Sequence, residues 1–284
     1  MMYVHCVSSV NIKQDQDVDV KAECKKVAPS FVRRTDRFIQ LGLLGVSGIK
    51  NQQELDKNTA LFMVSGQGDL SVFNRLCQQR YVEKMPPKPV DFINSLSNTA
   101  GFYIAKYLEL ESKNLNLAQQ GFAIENGFLL ADASLKTKQE ETILLGGVDE
   151  GVEQSNNPYG YLGLSANTPI GEGSNWMLLS ANKQDALATV DVLTLAFDSV
   201  GVIEYLNNQE EVTHVAFGHR MPKFCSDLLL SRINIPEFGW NEVADFYETN
   251  GLFVLNSYLN SKQGCLVYID YFNHIYRVIT LNVI

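Results

Sequence analysis

The sequence has few cysteines, and none of them lie close together. The five are an odd number and include no Cys-x-x-Cys pair: Cys6, Cys24, Cys77, Cys225 and Cys265. The first ten residues, MMYVHCVSSV, also lack the charged region and the long apolar run of a secretory signal peptide. A scattered, odd set of cysteines without such a signal is typical of a reducing compartment. We therefore expect a cytoplasmic protein.

Basic residues and long apolar runs are also scarce. The chain has 23 Lys and Arg against 32 Asp and Glu, which gives a net charge of -9. This excess of acidic residues argues against a general surface for nucleic acid or anionic membrane. No apolar run approaches the roughly 20 residues that a membrane-spanning helix needs. We expect neither a nucleic-acid partner nor a membrane span.

Motifs for metals and phosphate-containing cofactors are missing from the sequence. The four histidines form no cluster with cysteine or aspartate that has metal-ligand spacing. The glycine turns GQGDL (66–70) and GEGSN (171–175) lack the surrounding residues of a phosphate-binding loop. We therefore expect no cofactor and no metal site.

The chain does contain strand-like runs that alternate with helical ones. Its 284 residues are 45% hydrophobic, enough for a substantial buried core. The alternation occurs in both halves and favours a layered α/β architecture with two similar units, 1–165 and 166–284. Residues 151–168 have the most loop-like composition and are expected to join the two units. The longest predicted helices span 89–108, 121–135, 183–206 and 242–260.

The turn after the short strand at 115–118 has the form of an enzyme's nucleophile turn. It contains Gln119, Gln120 and Gly121, and a helix with small and apolar residues on one face begins directly after it. Amide groups at such a helix start favour a developing negative charge. A glutamine is nevertheless an unusual residue there, because its amide nitrogen is not a usable nucleophile.

Four landmarks give the chain a family resemblance. RRTDRF, PVDFINSLSNTAGFYIAKYL, ILLGGVDE and PIGEGSNWMLLS resemble, in order and spacing, segments of the β-ketoacyl synthases of fatty-acid and polyketide biosynthesis. These enzymes belong to the thiolase-like superfamily, and the chain looks like a shortened, degenerate relative. The resemblance covers most of residues 1–180 and weakens beyond them. It implies the thiolase-like five-layered α/β/α/β/α fold, built from two similar halves.

The resemblance also implies a place for the catalytic cysteine. In the family it lies about twenty-five residues before the glycine pair, which corresponds to Gly121 here, or to Gln120 with one inserted residue. Gln119, Gln120 and Gly121 therefore all remain candidates for this position. A glutamine there resembles the chain-length-factor subunits of polyketide synthases, which do not condense by themselves. A second explanation, compatible with the first, is that Gln119 and Gln120 cap the helix and satisfy buried amides.

The two catalytic histidines of the family have poor matches. His219 follows the strand VTHVAFG, but the glycine and threonines of the family motif are missing; a histidine there is more often a surface or satisfied core residue. Glu248, in FYETNG, stands where the second histidine would be, and its charge would repel a malonyl group. The resemblance also implies that His274 and Tyr276 replace glycines of the family and fill the space that those glycines leave open in the acyl pocket. All three catalytic positions, Gln120 among them, are thus expected to be degraded.

Two functions follow as hypotheses. The first is a catalytically inactive β-ketoacyl-synthase-like subunit of chain-length-factor or scaffold type in a fatty-acid or polyketide-like pathway. The resemblance implies a homodimer, or a heterodimer with an active β-ketoacyl synthase through which acyl carrier protein would be reached. The alternative is an acyltransferase or malonyl-thioester decarboxylase with a non-cysteine site. A decarboxylase is expected to retain both histidines, and this sequence retains at most one.

Overall fold

The computed structural model describes residues 1–96, 98–152, 158–240 and 242–284. Apolar runs of five to eleven residues form the strands, and amphipathic segments form the helices between them. The strands are β1 (Met2–Ile12), β2 (Ala60–Ser65), β3 (Asn114–Ala118), β4 (Thr142–Asp149), β5 (Glu172–Ser180), β6 (Ala188–Val192), β7 (Val212–Phe217), β8 (Cys265–Phe272) and β9 (Ile275–Val283). The α-helices are α1 (Val20–Val27), α2 (Arg37–Gln52), α3 (Leu70–Cys77), α4 (Pro89–Asn94), α5 (Asn98–Leu108), α6 (Ala123–Lys136), α7 (Tyr159–Leu162), α8 (Ser199–Asn207), α9 (Lys223–Arg232) and α10 (Asn250–Ser261).

The strands form one mixed sheet in the order β3-β2-β4-β5-β1-β6-β9-β8-β7. Strands β3, β2 and β4 run parallel to one another, because helices connect them, and β5 is antiparallel to both β4 and β1. The two halves of the sheet meet where β1 pairs with β6 through three residue pairs.

The second half of the sheet repeats the pairing of the first with one strand fewer. Counted outward from the β1–β6 junction, the first half has the order β1, β5, β4, β2, and the second half has the order β6, β9, β8, β7. In sequence order these are the first, last, penultimate and second strands of each half. The directions of pairing also agree, antiparallel twice and then parallel. No counterpart of β3 is found among the described strands of the second half. Instead, Pro236 accepts a hydrogen bond from the amide of Val215 in β7, and Val215 accepts one from Phe238.

Helices α6 and α10 lie between the two halves of the sheet. The largest buried cluster contains apolar residues of both helices and of strands from both halves, including Phe128 in α6 and Leu252 in α10. A second cluster packs α1, α2 and α5 against the other face of the first half, and a third packs α8 and α9 against the second half. This arrangement confirms the predicted α/β/α/β/α layering.

Three of the long helices expected from the sequence are wrong in extent. Residues 183–206 contain strand β6 followed by helix α8, because the alternating segment ALATVDV fits a half-buried strand. The predicted helix 242–260 begins only at Asn250. The predicted helix 89–108 is two helices, α4 and α5.

The boundary between the halves differs from the simplest division of the chain. Strand β5 begins after residue 165, yet it pairs with β1 and β4, so the strand pairing of the first half extends to Ser180. The division into 1–165 and 166–284 stays a prediction. Part of the expected join at 151–168, namely 153–157, lies outside the described residues; the described part contains the short helix α7.

Candidate functional site

The turn between β3 and α6 has an unusual backbone. Gly121 and Phe122 both have positive φ angles, +73° and +56°, and α6 begins at the next residue. A Cβ atom at position 121 would lie 2.4 Å from the ring of Phe272 in β8. Glycine is therefore required at this position both by the backbone conformation and by the close contact with the second half.

The side chains of the two glutamines in this turn form hydrogen bonds within it and to α6 and α7. Gln119 Nε2 donates to the carbonyl of Gly121 (3.0 Å), and Gln119 Oε1 accepts from Asn126 in α6 (2.9 Å). Gln120 is half-buried, and its amide donates to the carbonyl of Tyr161 in α7. Both glutamines thus hydrogen-bond backbone or neighbouring side chains, consistent with the satisfied-amide explanation. Which residue corresponds to the family's nucleophile stays a prediction.

Glu248 provides the negative charge at this turn. It lies just before α10, its side chain is 4% exposed, and its Oε1 accepts from the Gly121 amide at 2.6 Å. Arg220, with a side chain 3% exposed, donates to both oxygens of the same carboxylate, at 2.7 Å for Nη1 to Oε1. The Glu248 carboxylate is therefore a buried, bidentate-paired anion.

Three further contacts hold Arg220. Its Nε donates to the carbonyl of Leu162 (2.7 Å), and its guanidinium carbon lies 4.9 Å and 5.0 Å from the ring centres of Phe246 and Phe272. Burial opposes its charge, but the hydrogen bonds and the charge of Glu248 prevail and raise the pKa of Arg220. Arg220 is positively charged throughout the physiological range.

His219 does not join this group of residues. Its Nε2 lies 3.1 Å from the carbonyl of Ala244, and its ring packs against Trp240 at a centroid distance of 4.6 Å and against Phe246 at 6.3 Å. Burial lowers the pKa of His219. Its neighbour Arg220 contacts Glu248 instead. A catalytic role for His219 or Glu248 is untested by these contacts and stays a prediction.

The expected blockage of the pocket by His274 and Tyr276 is wrong. His274 is exposed in the turn between β8 and β9, and Tyr276 packs into the cluster beneath α8 and α9. Phe272, two residues before His274, is the side chain that contacts the turn. Its ring packs edge-on against Phe122 at 6.2 Å and touches the Cα side of Gly121.

A second buried carboxylate, that of Asp149, connects the ends of three elements. It accepts hydrogen bonds from the hydroxyl of Ser65 and the amide of Gly66 after β2, and from the amide and hydroxyl of Thr249 at the start of α10. Burial raises the pKa of Asp149 to about 6, with a further contribution from Glu248, although these hydrogen bonds oppose the shift. Four donors on one carboxylate indicate a structural connection between the halves.

Glu125, in the first turn of α6, is the most unusual acid of the core. Its side chain is fully buried, and neither carboxylate oxygen has a hydrogen-bond partner. Burial and the nearby charge of Asp270 raise the pKa of Glu125 well above its usual value. Burial also raises the pKa of Asp270 to about 6, although Arg220 opposes this shift. Glu125 is thus most stable in its protonated form.

The space around Glu248 is small. A cavity of about 20 Å³ lies beside it, lined among others by Asp149, Leu162 and Phe246. This volume fits about one water molecule. Within the described residues, no group of three or more His, Cys, Asp and Glu side chains is arranged to hold a metal ion.

No thiol lies in the turn, where residues 118–123 read AQQGFA. Burial raises the pKa of the thiols of Cys6, Cys24 and Cys265 to about 11, so these three groups are poor nucleophiles at neutral pH. The groups at the turn and around Glu248 are amides, the Arg220 guanidinium and carboxylates. Such groups can bind charged partners.

Sequence reasoning did not identify Arg220 or Phe272. Arg220 was hidden by its neighbour His219, to which the resemblance assigned the position. One signal was available: an acid such as Glu248, shortly before the apolar segment GLFVL, needs a positive partner if it is buried. The pairing of residues 28 positions apart, however, depends on the tertiary fold.

Solved structures with similar folds include ketosynthases and ketosynthase complexes. The ishigamide ketosynthase/chain length factor aligns with a TM-score of 0.71 and 12% identity, covering 100% of this chain and 99% of that one. A type II polyketide synthase acyl-carrier protein in complex with its ketosynthase gives 0.67 and 14%, with 100% and 99% covered. For 3-oxoacyl-(acyl carrier protein) synthase III from Pseudomonas aeruginosa the values are 0.55 and 12%, with 99% and 98% covered.

These likenesses confirm the expected fold, that of the thiolase-like ketosynthases and chain length factors. No protein-family model and no curated protein matches the sequence. In the part of the chain that the structure describes, no helix is both long and apolar enough to cross a membrane.

Proposed function

We propose that this chain is a catalytically inactive ketosynthase-like subunit, of chain-length-factor or scaffold type, in a fatty-acid or polyketide-like pathway. The observation that carries the proposal is the occupied turn before α6. There the amide of Gly121 binds the carboxylate of Glu248, which Arg220 neutralises. Where a condensing enzyme needs a thiolate and open space for a thioester, this chain has glutamines and a buried ion pair.

The chemistry of the turn supports inactivity. Neither Gln119 nor Gln120 has a nucleophilic atom, and each side-chain amide donates a hydrogen bond to a carbonyl. The cavity beside Glu248 has about 20 Å³, far less than an acyl chain requires. A malonyl carboxylate would also meet the negative charges of Glu248 and Asp149.

An exposed apolar surface supports a role in association. Strand β3 stands at the edge of the sheet and pairs on one side with β2. Helices α3 to α5 precede it, and α5 packs on it. Many large apolar side chains of this segment, which we call the α3–α5 face, are exposed: Phe73, Tyr81, Val82, Met85, Val90, Phe92, Ile93, Leu96 and Phe102. Exposed apolar residues concentrated in one segment that packs on an edge strand are typical of a protein interface.

We therefore propose that the α3–α5 face and the edge of β3 bind a second subunit. Purified alone, the chain forms a homodimer; in the cell its partner is an active β-ketoacyl synthase. Structural neighbours that include a ketosynthase in complex with its chain length factor favour this partner. Because acyl carrier proteins are acidic and this chain has a net charge of -9, the synthase would supply the carrier-binding surface.

Mass spectrometry of the intact protein tests the absence of chemistry. After incubation with acetyl, octanoyl and malonyl thioesters of coenzyme A, we expect no adduct and no loss of carbon dioxide from the malonyl thioester. The matched control is Gln120→Cys, which is expected to be alkylated by iodoacetamide without gaining condensing activity. A stable acyl adduct on the unaltered chain, or rapid decarboxylation, would support an acyltransferase or decarboxylase instead.

A further inference from the structure

The Glu248 carboxylate has three charge-complementary donors that come from two other segments. Nη1 and Nη2 of Arg220 donate to its two oxygens, and the amide of Gly121 donates to Oε1 at 2.6 Å. Glu248 itself belongs to the loop that precedes α10. A planar guanidinium fork with one backbone amide is the donor geometry with which proteins bind the carboxylates of ligands.

The guanidinium is held by contacts that do not involve Glu248. Arg220 Nε donates to the carbonyl of Leu162 at 2.7 Å, and the rings of Phe246 and Phe272 flank the guanidinium at 4.9 Å and 5.0 Å. These contacts fix the position and the plane of the group. Removal of the Glu248 carboxylate would therefore leave the fork in place.

The amide of Gly121 is also held independently of Glu248. Gln119 receives support on two sides, because its backbone amide donates to the carbonyl of Ser65 (2.9 Å) and its Oε1 accepts from Asn126 (2.9 Å). Its Nε2 in turn donates to the carbonyl of Gly121. Hydrogen bonds within the turn, and not Glu248, thus set the direction of the Gly121 N–H bond.

We propose that Arg220 and the amide of Gly121 form a carboxylate-binding site that Glu248 occupies from within the chain. Glu248 acts as an internal ligand, which keeps the site closed to external carboxylates. This assignment goes beyond the proposed subunit function, and it holds whether or not the chain associates with a synthase. It explains why a buried arginine and a buried glutamate are placed at a turn that has no nucleophile.

The geometry also limits the class of external ligand. A vacated site would contain the Arg220 charge in a place that is 3% exposed, so an anion is strongly favoured over a neutral carbonyl compound. The neighbouring cavity adds only about 20 Å³ to the space that the carboxylate leaves. Formate and acetate therefore fit the site, whereas longer carboxylates such as butyrate do not.

The test is chemical rescue of Glu248→Ala, followed by thermal unfolding. Sodium acetate or formate is expected to raise the melting temperature of this variant by at least about 2 °C in a saturable manner, relative to sodium chloride of equal ionic strength. Sodium butyrate is expected to have no such effect. The matched control is Glu248→Gln, whose amide fills the site, and it and the unaltered protein are expected not to respond to acetate.

A second variant identifies the donor. In the double variant Arg220→Met, Glu248→Ala, the fork is gone and the acetate response is expected to vanish. The proposal is wrong if Glu248→Ala shows no saturable response, or if Glu248→Gln or the double variant responds equally. Glu248→Ala is also refolded with and without acetate or formate. If the variant folds only in acetate, the site is supported. If neither acetate nor formate restores folding, the donors are not held independently of Glu248 and the proposal fails.

Discussion

The two halves of the molecule share one pattern of strand pairing but differ at the outer edge of the sheet. In the first half the sheet ends in β3, whose outer edge lies next to the exposed α3–α5 face. In the second half the edge strand is β7, and residues 236–238 hydrogen-bond along it. An open strand edge allows association, whereas a covered edge prevents it. This difference is why the proposed partner surface is assigned to the first half.

The halves also contribute differently to the site between them. Helices α6 and α10 both follow the edge region of their half and precede its penultimate strand, so their starts are equivalent positions. The first half contributes a backbone amide at Gly121, and the second contributes the charges of Arg220 and Glu248. In this chain the site is thus a contact between the halves.

The largest effect is expected when the second half loses its positive charge. Arg220→Ala leaves the Glu248 carboxylate buried without its counter-charge, so the free energy of unfolding is expected to fall by about 3–5 kcal/mol. Urea unfolding followed by tryptophan fluorescence measures this change. The control is Lys223→Ala, which removes an exposed ion pair with Asp227 and should change stability far less. Similar stabilities of the two variants would show that the buried pair of Arg220 and Glu248 contributes no more to stability than an exposed pair.

A smaller loss is expected when the first half loses its glycine. Gly121→Ala requires a positive φ angle from alanine and moves the ring of Phe272, which we expect to destabilise the protein by about 2–4 kcal/mol. The same unfolding measurement applies. Gly160→Ala is the matched control, because nothing lies within 4 Å of the added Cβ atom and Gly160 is helical. An unchanged stability of Gly121→Ala would contradict the close contact between the turn and β8.

The smallest effect concerns the acids between the halves and depends on pH. Glu125 keeps its proton in the folded protein but releases it in the unfolded chain above about pH 4.3. Its contribution to stability is therefore greatest at low pH and is lost as pH rises towards the folded pKa. One such proton contributes a slope of about 1.4 kcal/mol per pH unit.

The variant Glu125→Gln has no proton to lose at this position. Its free energy of unfolding is expected to vary less steeply between pH 5 and pH 8 than that of the unaltered protein, in urea titrations at each pH. Asp270 remains in the variant and contributes a residual slope over the range between its unfolded value and about 6. Equal slopes in the two proteins would mean that Glu125 is ionised in the folded state.

The sequence allowed prediction of the layers because local patterns determine them. The apolar runs at β2 and β4 and the amphipathic face of α6 carry their own periodicity. The region 183–206 was misinterpreted because no proline or glycine lies between β6 and α8, and the first glycine, Gly201, is already within the helix. Apolar residues are also frequent throughout the region. The α10 start was misplaced because residues 242–249 have an amphipathic composition but form a non-helical segment that contacts residues 169–171 and the site instead.

The candidate site was less predictable, because its contacts join distant segments. The importance of the turn at 119–121 followed from the resemblance, which also singled out Glu248. The role of Glu248 stays a prediction. Arg220 and Phe272 were missed because their side-chain directions depend on how the second half packs against α7 and the turn before α6. No local pattern distinguishes His219 from Arg220 as the residue that faces the turn.

Light scattering after size-exclusion chromatography tests the subunit role most directly. The chain is expected to elute alone with twice its mass of 31.8 kDa, and as a heterodimer when co-expressed with an intact ketosynthase encoded beside its gene. Phe92→Asp, on the α3–α5 face, is expected to weaken both associations at least about tenfold, whereas Phe224→Asp on α9 of the second half leaves them intact. A monomer at micromolar concentration without a co-eluting synthase, or equal behaviour of the two variants, would contradict the account.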